Sequence, residues 1–303
     1  MEEKKSSRAP VFFIIIFVLV LAALYAYLYL LPGISESRSK TEVVYYATVQ
    51  EYTENRCIAV RKEKVYKAGI DGSVSYYSKE GEKTRQGTMI ADVYAMGNRE
   101  SVVAETTGTV SFFIDGYEEY FDSEHFDALD PDELSEMEDI VPKSSEKSEA
   151  ASDDVIFKLI TSDVWHMIII EKKDQSNKLK TGQSIIIEVD DGTRIPAVVS
   201  AVKEGEKNDI VLTDISMYYE KSLQIRTIQA KIISSEKSGL MVPTSAVTTN
   251  GENIGVYILG TDGNYSFRAI EIITQTGDNT LIAEDGYVRL YDEVLKNAKN
   301  YKR

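Results

Sequence analysis

The sequence is poor in the residues that most chemistry needs: 303 residues contain one cysteine, two histidines and one tryptophan. A lone Cys57 cannot close an intramolecular disulfide, and it reads as a small buried apolar residue instead of a reactive thiol. There is no Gly-rich phosphate loop, no Gly-x-Ser-x-Gly and no paired Cys/His spacing, so nucleophilic, phosphoryl-transfer and zinc chemistry lack their parts. His166 stands between Trp165 and an apolar run and reads as structural; His125 lies among acids without a metal-binding pattern. No heptad repeat runs anywhere, which excludes a long coiled coil. No basic surface is visible either, and nucleic-acid binding needs one.

The net charge is −15, and almost all of it sits in residues 115–154, with 16 Asp/Glu against 2 Lys. Within that stretch Asp130-Pro131 is a helix start, with Asp as cap and Pro at the first position. Residues 142–152 have linker composition, and the whole of 121–154 is expected to be a solvated acidic linker that the fold can lose.

Only one long apolar run exists. Residues 11–31 carry no charge and would make about 30 Å of helix, enough to cross a bilayer core. Lys4, Lys5 and Arg8 precede it, Tyr25, Tyr27 and Tyr29 lie near its far end, and Pro32-Gly33 stops it. The run is too long, and lacks the small-residue cleavage site, for a signal peptide. The expectation is an uncleaved single-pass anchor in the cell membrane, N-terminus cytoplasmic (residues 1–10), with a tether at 32–42 and the bulk of the chain outside.

The centre of the organisation is a half-motif written twice. Ala68-Gly-Ile-Asp-Gly72-Ser-Val74-Ser75-Tyr76-Tyr77 returns 36 residues later as Ala104-Glu-Thr-Thr-Gly108-Thr-Val110-Ser111-Phe112-Phe113. Each copy alternates as a strand does, with Val74 and Tyr76 on one face and Ser75 and Tyr77 on the other. Gly72 and Gly108 mark either a positive φ or a close backbone approach; Gly81, Gly87 and Gly116 mark turns. Two copies suit a pseudo-symmetric β-sandwich. Further short β-branched and aromatic strands follow at barrel-like spacing from Val155.

The phrase Asp71-Gly72, Val74, Gly81, Gly87 and an apolar strand resembles a biotinyl/lipoyl-type half-domain. The carrier proteins of that type bear a modified lysine where the halves join. Here the joining segment is Tyr94-Ala95-Met96-Gly97-Asn98-Arg99-Glu100, without lysine, so no cofactor is expected. The same sandwich occurs without cofactor in the membrane fusion (haemolysin-D-type, periplasmic adaptor) family. Leu179-Lys-Thr-Gly182-Gln183 before an apolar strand is similar to that family's β-barrel, and Gly239-Leu-Met-Val242-Pro243 resembles its membrane-proximal signature.

The resemblance implies a mainly β protein: transmembrane helix, lipoyl-like β-sandwich (barrel-sandwich hybrid) with flanking strands at 43–120, β-barrel at 155–230, and a membrane-proximal β domain at 231–303. Adaptors of two-membrane bacteria separate the sandwich halves by a long α-helical hairpin. Here seven residues part Val93 from Ser101, so a tight turn pivoting on Gly97-Asn98 is expected, with Gly97, Asn98 and Arg99 as a tip for a partner. By resemblance the function is that of a reduced, non-enzymatic adaptor beside an integral membrane export transporter, of ABC type or another, and able to self-associate. The alternative is a cell-envelope or division scaffold. No metal site is expected.

Overall fold

The structure is a computed structural model and describes residues 17–21, 24–25, 41–175 and 177–298. The expected anchor lies largely outside the described residues, among which no helix is long and apolar enough to cross a membrane. Packing divides the chain into two compact units: Gln50–Glu236, and the residues up to Val49 together with those from Lys237 onward.

The Gln50–Glu236 unit holds the sandwich and the barrel. One sandwich sheet runs in the order Glu149–Ala150, Gly72–Tyr76, Met89–Ala95, Asn98–Val103; the other runs Glu63–Lys67, Val155–Ile160, Gly108–Ser111, Lys83–Thr84. All pairings are antiparallel. The two copies of the half-motif fall in opposite sheets, and their equivalent aromatics, Tyr76 and Phe112, meet edge to face at 5.1 Å. Around them Ile90, Val93, Val110, Ile156, Phe157 and Leu159 form the core.

The paired glycines share one demand, and it is space. A β-carbon on Gly72 would stand 2.3 Å from the Tyr94 carbonyl oxygen, and one on Gly108 would stand 2.7 Å from that of Ile160. Neither has a positive φ, whereas Gly81, Gly87 and Gly116 do, at 76°, 84° and 86°.

Val155–Ile160 belongs to this sandwich, not to the barrel expected to start there, because it lies between Glu63–Lys67 and Gly108–Ser111. The barrel begins at Trp165–Lys172, which pairs on one side with Asn208–Ile215 and on the other with Cys57–Val60, the end of the long strand Tyr45–Val60. The circuit continues through Arg194–Glu204 and Ser184–Glu188, which pairs with Thr227–Pro243 at Ile186 and Ile233. Met167, Ile169, Ile185, Ile187, Ile195, Val211 and Ile232 fill it. Cys57 is buried in this core, as its solitude suggested, and burial pushes its thiol up, out of the reactive range. Gly182, at φ 85°, turns the chain into Ser184–Glu188, and Gln183 donates its amide to the Ser234 carbonyl at 3.2 Å.

The acidic stretch is ordered, against expectation. Asp130 caps the helix Pro131–Glu136 as read from the sequence, accepting from the N–H groups of Asp132 and Glu133. However, Phe121, Phe126, Leu129 and Leu134 are buried on the outer face of the barrel sheet against Ile58, Ile168, Ile170 and Leu212. These four apolar side chains, thinly spread in an acidic sequence, are enough to dock it, while the carboxylates of residues 121–154 face water, bond backbone or pair with basic side chains, as Asp139 does with Arg56. Asp132 alone accepts from the N–H groups of Glu206, Lys207 and Asn208.

The expected dispensability of residues 143–152 is likewise corrected. Lys143–Ser144 pairs with Phe113–Ile114, Glu149–Ala150 pairs with Gly72 and Ser73, and Ala150 is buried. Deleting residues 143–152 is therefore expected to lower unfolding free energy by about 2 kcal/mol or more, measured as a fall in the denaturation midpoint. An unchanged midpoint would show these strands to be ornamental.

The second unit pairs the start of the main described stretch with its end. Thr41–Val43 pairs with Glu293–Leu295, so the expected tether ends in a strand, and Val44 packs with Leu240, Val242, Val256, Ile258, Ile282 and Val294. Val242 and Pro243 end the strand Thr227–Pro243, opposite Thr280 and Asn279. Asn253–Leu259 pairs with Tyr265–Ala269 in a hairpin that turns through Gly263, at φ 78°. The strand at 43–49, read as flanking the sandwich, belongs to this unit instead.

Candidate functional site: the sandwich tip and the buried junction

The sandwich halves are joined by a hairpin in which Ala95 already faces Asn98. The pivot is thus Met96-Gly97, with φ 42° and 91°, and not Gly97-Asn98 as expected. Asn98 starts the return strand. Met96 is fully exposed, and Tyr94, Met89 and Val103 are half-exposed behind it.

Arg99 does not project as a free contact. Its guanidinium donates to Asp92 Oδ2 at 2.6 Å and lies 5.8 Å over the Tyr94 ring. Asp92 is completely buried and also accepts from Ser101 Oγ at 2.6 Å and Tyr77 Oη at 2.6 Å. The Arg99 bond, with those of Ser101 and Tyr77, overcomes burial and holds the Asp92 carboxyl well below the usual carboxylate range. A charge-assisted network thus ties the two strands together beneath the turn. Sequence reasoning named Gly97, Asn98 and Arg99 but missed Asp92, whose only sign is an acid inside the run Ile90-Ala91-Asp92-Val93.

A second network lies where sandwich meets barrel. Glu63, at the start of Glu63–Lys67, accepts from Arg61 Nε at 2.9 Å, from Lys158 Nζ at 2.9 Å and from Arg226 Nη2 at 2.6 Å. Arg226 also donates through Nε to Asp115 at 2.8 Å and through Nη1 to the Ala59 carbonyl at 2.9 Å, and its guanidinium stands 5.7 Å from the Phe121 ring. Glu118 faces Lys158 at 3.4 Å. Three cations thus meet three carboxylates, essentially sealed from water.

Burial alone would raise the Glu63 carboxyl, but Arg61, Arg226 and Lys158 outweigh it and hold it at about 2. Burial pushes the Lys158 ammonium down, with Arg61 and Arg226 adding to this against the pull of Glu63. Burial opposes the charge of Arg226 too, yet Glu63 and Asp115 keep its pKa raised. Such a cluster contributes little net stability over an apolar core, but it fixes geometry, because losing any partner strands a charge. Through the Arg226–Glu63 pair it ties the barrel side of the junction to the sandwich strand Glu63–Lys67. None of these six residues was singled out from the sequence. Lys158 inside Val155-Ile-Phe-Lys158-Leu-Ile was the available signal, and its partners lie as far away as Arg226.

Among the described residues no three His, Cys, Asp or Glu side chains gather as metal ligands. His166 Nδ1 sits 3.0 Å from Asp214 at the barrel surface.

Residues 63–161 match the family model of the RND-related barrel-sandwich hybrid domain, and residues 165–236 that of the RND-related beta-barrel domain. No protein of curated function matches the sequence. Solved structures that align along the chain include ZneB from Cupriavidus metallidurans, at 10% identity, TM-score 0.37, covering 87% of this chain and 94% of that one. MacA from Actinobacillus actinomycetemcomitans aligns at 11% identity and TM-score 0.35, covering 84% and 98%. The membrane fusion protein Spr0693 from Streptococcus pneumoniae R6 aligns at 9% and 0.32, covering 61% and 99%. The two family matches together take up more than half of the chain in the order sandwich, then barrel, and the chain belongs to the RND-related membrane fusion (adaptor) family, in a form whose sandwich halves are joined by a two-residue turn.

Proposed function

We propose that this chain is the membrane-anchored, extracytoplasmic adaptor subunit of an export or efflux transporter, with no catalytic role of its own. The observation that carries this reading is the order of parts: an uncharged 21-residue run, then an RND-related sandwich and barrel. The short Met96-Gly97 turn supports a role beside the near membrane, since it lacks the length to reach a distant duct. The buried junction supports a rigid coupling element, in which a push on the sandwich tip is passed to the barrel without hinge loss.

Photocrosslinking from position 96 in intact cells tests the partner. The expected product is an adduct with an integral membrane export protein. Adducts confined to wall-synthesis or division proteins would overturn the transport reading and favour a scaffold. A C-terminal tag should also be cleaved by protease added to whole cells or protoplasts, and protection until lysis would contradict the topology.

A further inference from the structure

In the second unit, three large apolar side chains within five residues face solvent: Tyr287, Leu290 and Tyr291 are 67%, 43% and 75% exposed. Val288 between them is fully buried in the core, so the segment is anchored, not loose. The Asp292 N–H donates to the Arg289 carbonyl at 3.1 Å, which places Leu290 and Tyr291 at the tip of a tight turn. Tyr291 has φ 71°, a left-handed conformation that turns usually give to Gly or Asn and that strains a side chain as bulky as tyrosine. The fold thus holds an aromatic ring outward at a strained position. Strain of this kind collects where a contact is made.

The turn is tied to the start of the described chain. Tyr291 N–H donates to the Val44 carbonyl at 2.9 Å, and Val44 N–H donates to the Asp292 carbonyl at 2.8 Å. Val43 and Tyr45, on the solvent side of that strand, are exposed as well. Val44 lies thirteen residues after Leu31, the end of the uncharged run, and thirteen residues span at most about 45 Å. A bilayer holding that run is within the turn's reach.

We infer that the turn of Tyr287, Leu290 and Tyr291 docks on the lipid bilayer, with its rings at headgroup depth, and seats this unit on the membrane beside its own anchor. The inference rests on reading residues 11–31 as a membrane anchor. The chemistry fits a lipid interface: tyrosine presents an apolar ring and a polar tip, and Leu290 and Tyr291 stand exposed at the tip of a tight turn. Glu284, Asp285, Asp292 and Glu293 flank the turn against a single Arg289, so the surface sought is zwitterionic, and anionic lipid weakens the contact.

The test uses the full chain carrying Cys57→Ala and, singly, Leu290→Cys, Tyr291→Cys or, as a control on another turn of the same unit, Glu252→Cys. Each is labelled with an environment-sensitive fluorophore and reconstituted into phosphatidylcholine vesicles. Spin-labelled lipid should quench positions 290 and 291 about threefold or more above position 252, and adding phosphatidylserine should reduce the difference. Adding Tyr291→Gly to the Leu290→Cys chain should leave the melting temperature unchanged or higher while lowering the quenching.

Equal weak quenching at all three positions, in protein that resists carbonate extraction, would overturn the docking while leaving the anchor standing. Extraction by carbonate would remove the anchor reading and this inference with it. Quenching that falls when an export transporter is reconstituted alongside would also overturn the lipid contact and assign the turn to a protein.

Discussion

Replacing Glu63 by glutamine should destabilise the protein by about 3–5 kcal/mol, among the largest effects of any single polar substitution here. The carboxylate is the hub of the junction, taking bonds from Arg61, Lys158 and Arg226 within 2.9 Å. Glutamine keeps the shape but leaves three buried cations facing only Asp115 and Glu118. Chemical denaturation at neutral pH should show the loss. A change below about 1 kcal/mol would mean that the junction is open to water and does not lock the sandwich to the barrel.

The same variant has a pH signature. The Glu63 carboxyl sits at about 2 in the fold, against about 4 for an unfolded glutamate. A depressed carboxylate contributes stability that is complete above the unfolded pKa and is lost as pH falls through the folded one. The stability difference between wild type and Glu63→Gln should therefore be constant at neutral pH and shrink between about pH 4 and pH 2. A difference that does not narrow in that window would show that Glu63 is not held ionised by its partners.

Gly72→Val and Gly108→Val should each cost the sandwich about 3 kcal/mol. In each case the added side chain meets a backbone carbonyl, of Tyr94 or Ile160, and a carbonyl in a sheet ladder cannot yield without breaking pairing. The sandwich and barrel have separate cores, so the double variant should lose the sandwich first. Limited proteolysis with mass mapping should find new cuts within residues 63–161, while the strand ending at Val60 and the chain from Trp165 onward, which pair in the barrel, stay resistant. Silent substitutions, or collapse of sandwich and barrel as one unit, would contradict a self-contained repeat module.

What the sequence determined by itself is everything carried by short-range pattern. The 36-residue repeat, the alternation of Val74 and Tyr76 against Ser75 and Tyr77, the turn glycines at 81, 87 and 116, and the Asp130 cap are all dictated by steric and hydrogen-bonding demands within a few residues. Gly72 and Gly108 were visible as a pair, but whether a positive φ or a close approach required them depended on which carbonyl lay opposite.

The tertiary structure decided the rest, because it depends on partners far apart in the chain. Val43 is a flanking strand in sequence, and only Glu293 opposite it assigns it to the terminal unit. Phe121 and Leu134 look too sparse to order an acidic stretch until the barrel sheet supplies Ile58, Ile168 and Leu212 as their counterpart. Charges within the Arg61–Arg226 cluster are unremarkable singly, since a charged residue declares burial only when its counter-charges are in place around it. Burial of a charge depends on the assembled surroundings, and the local pattern, Lys158 within an apolar run, marks only one member of the cluster.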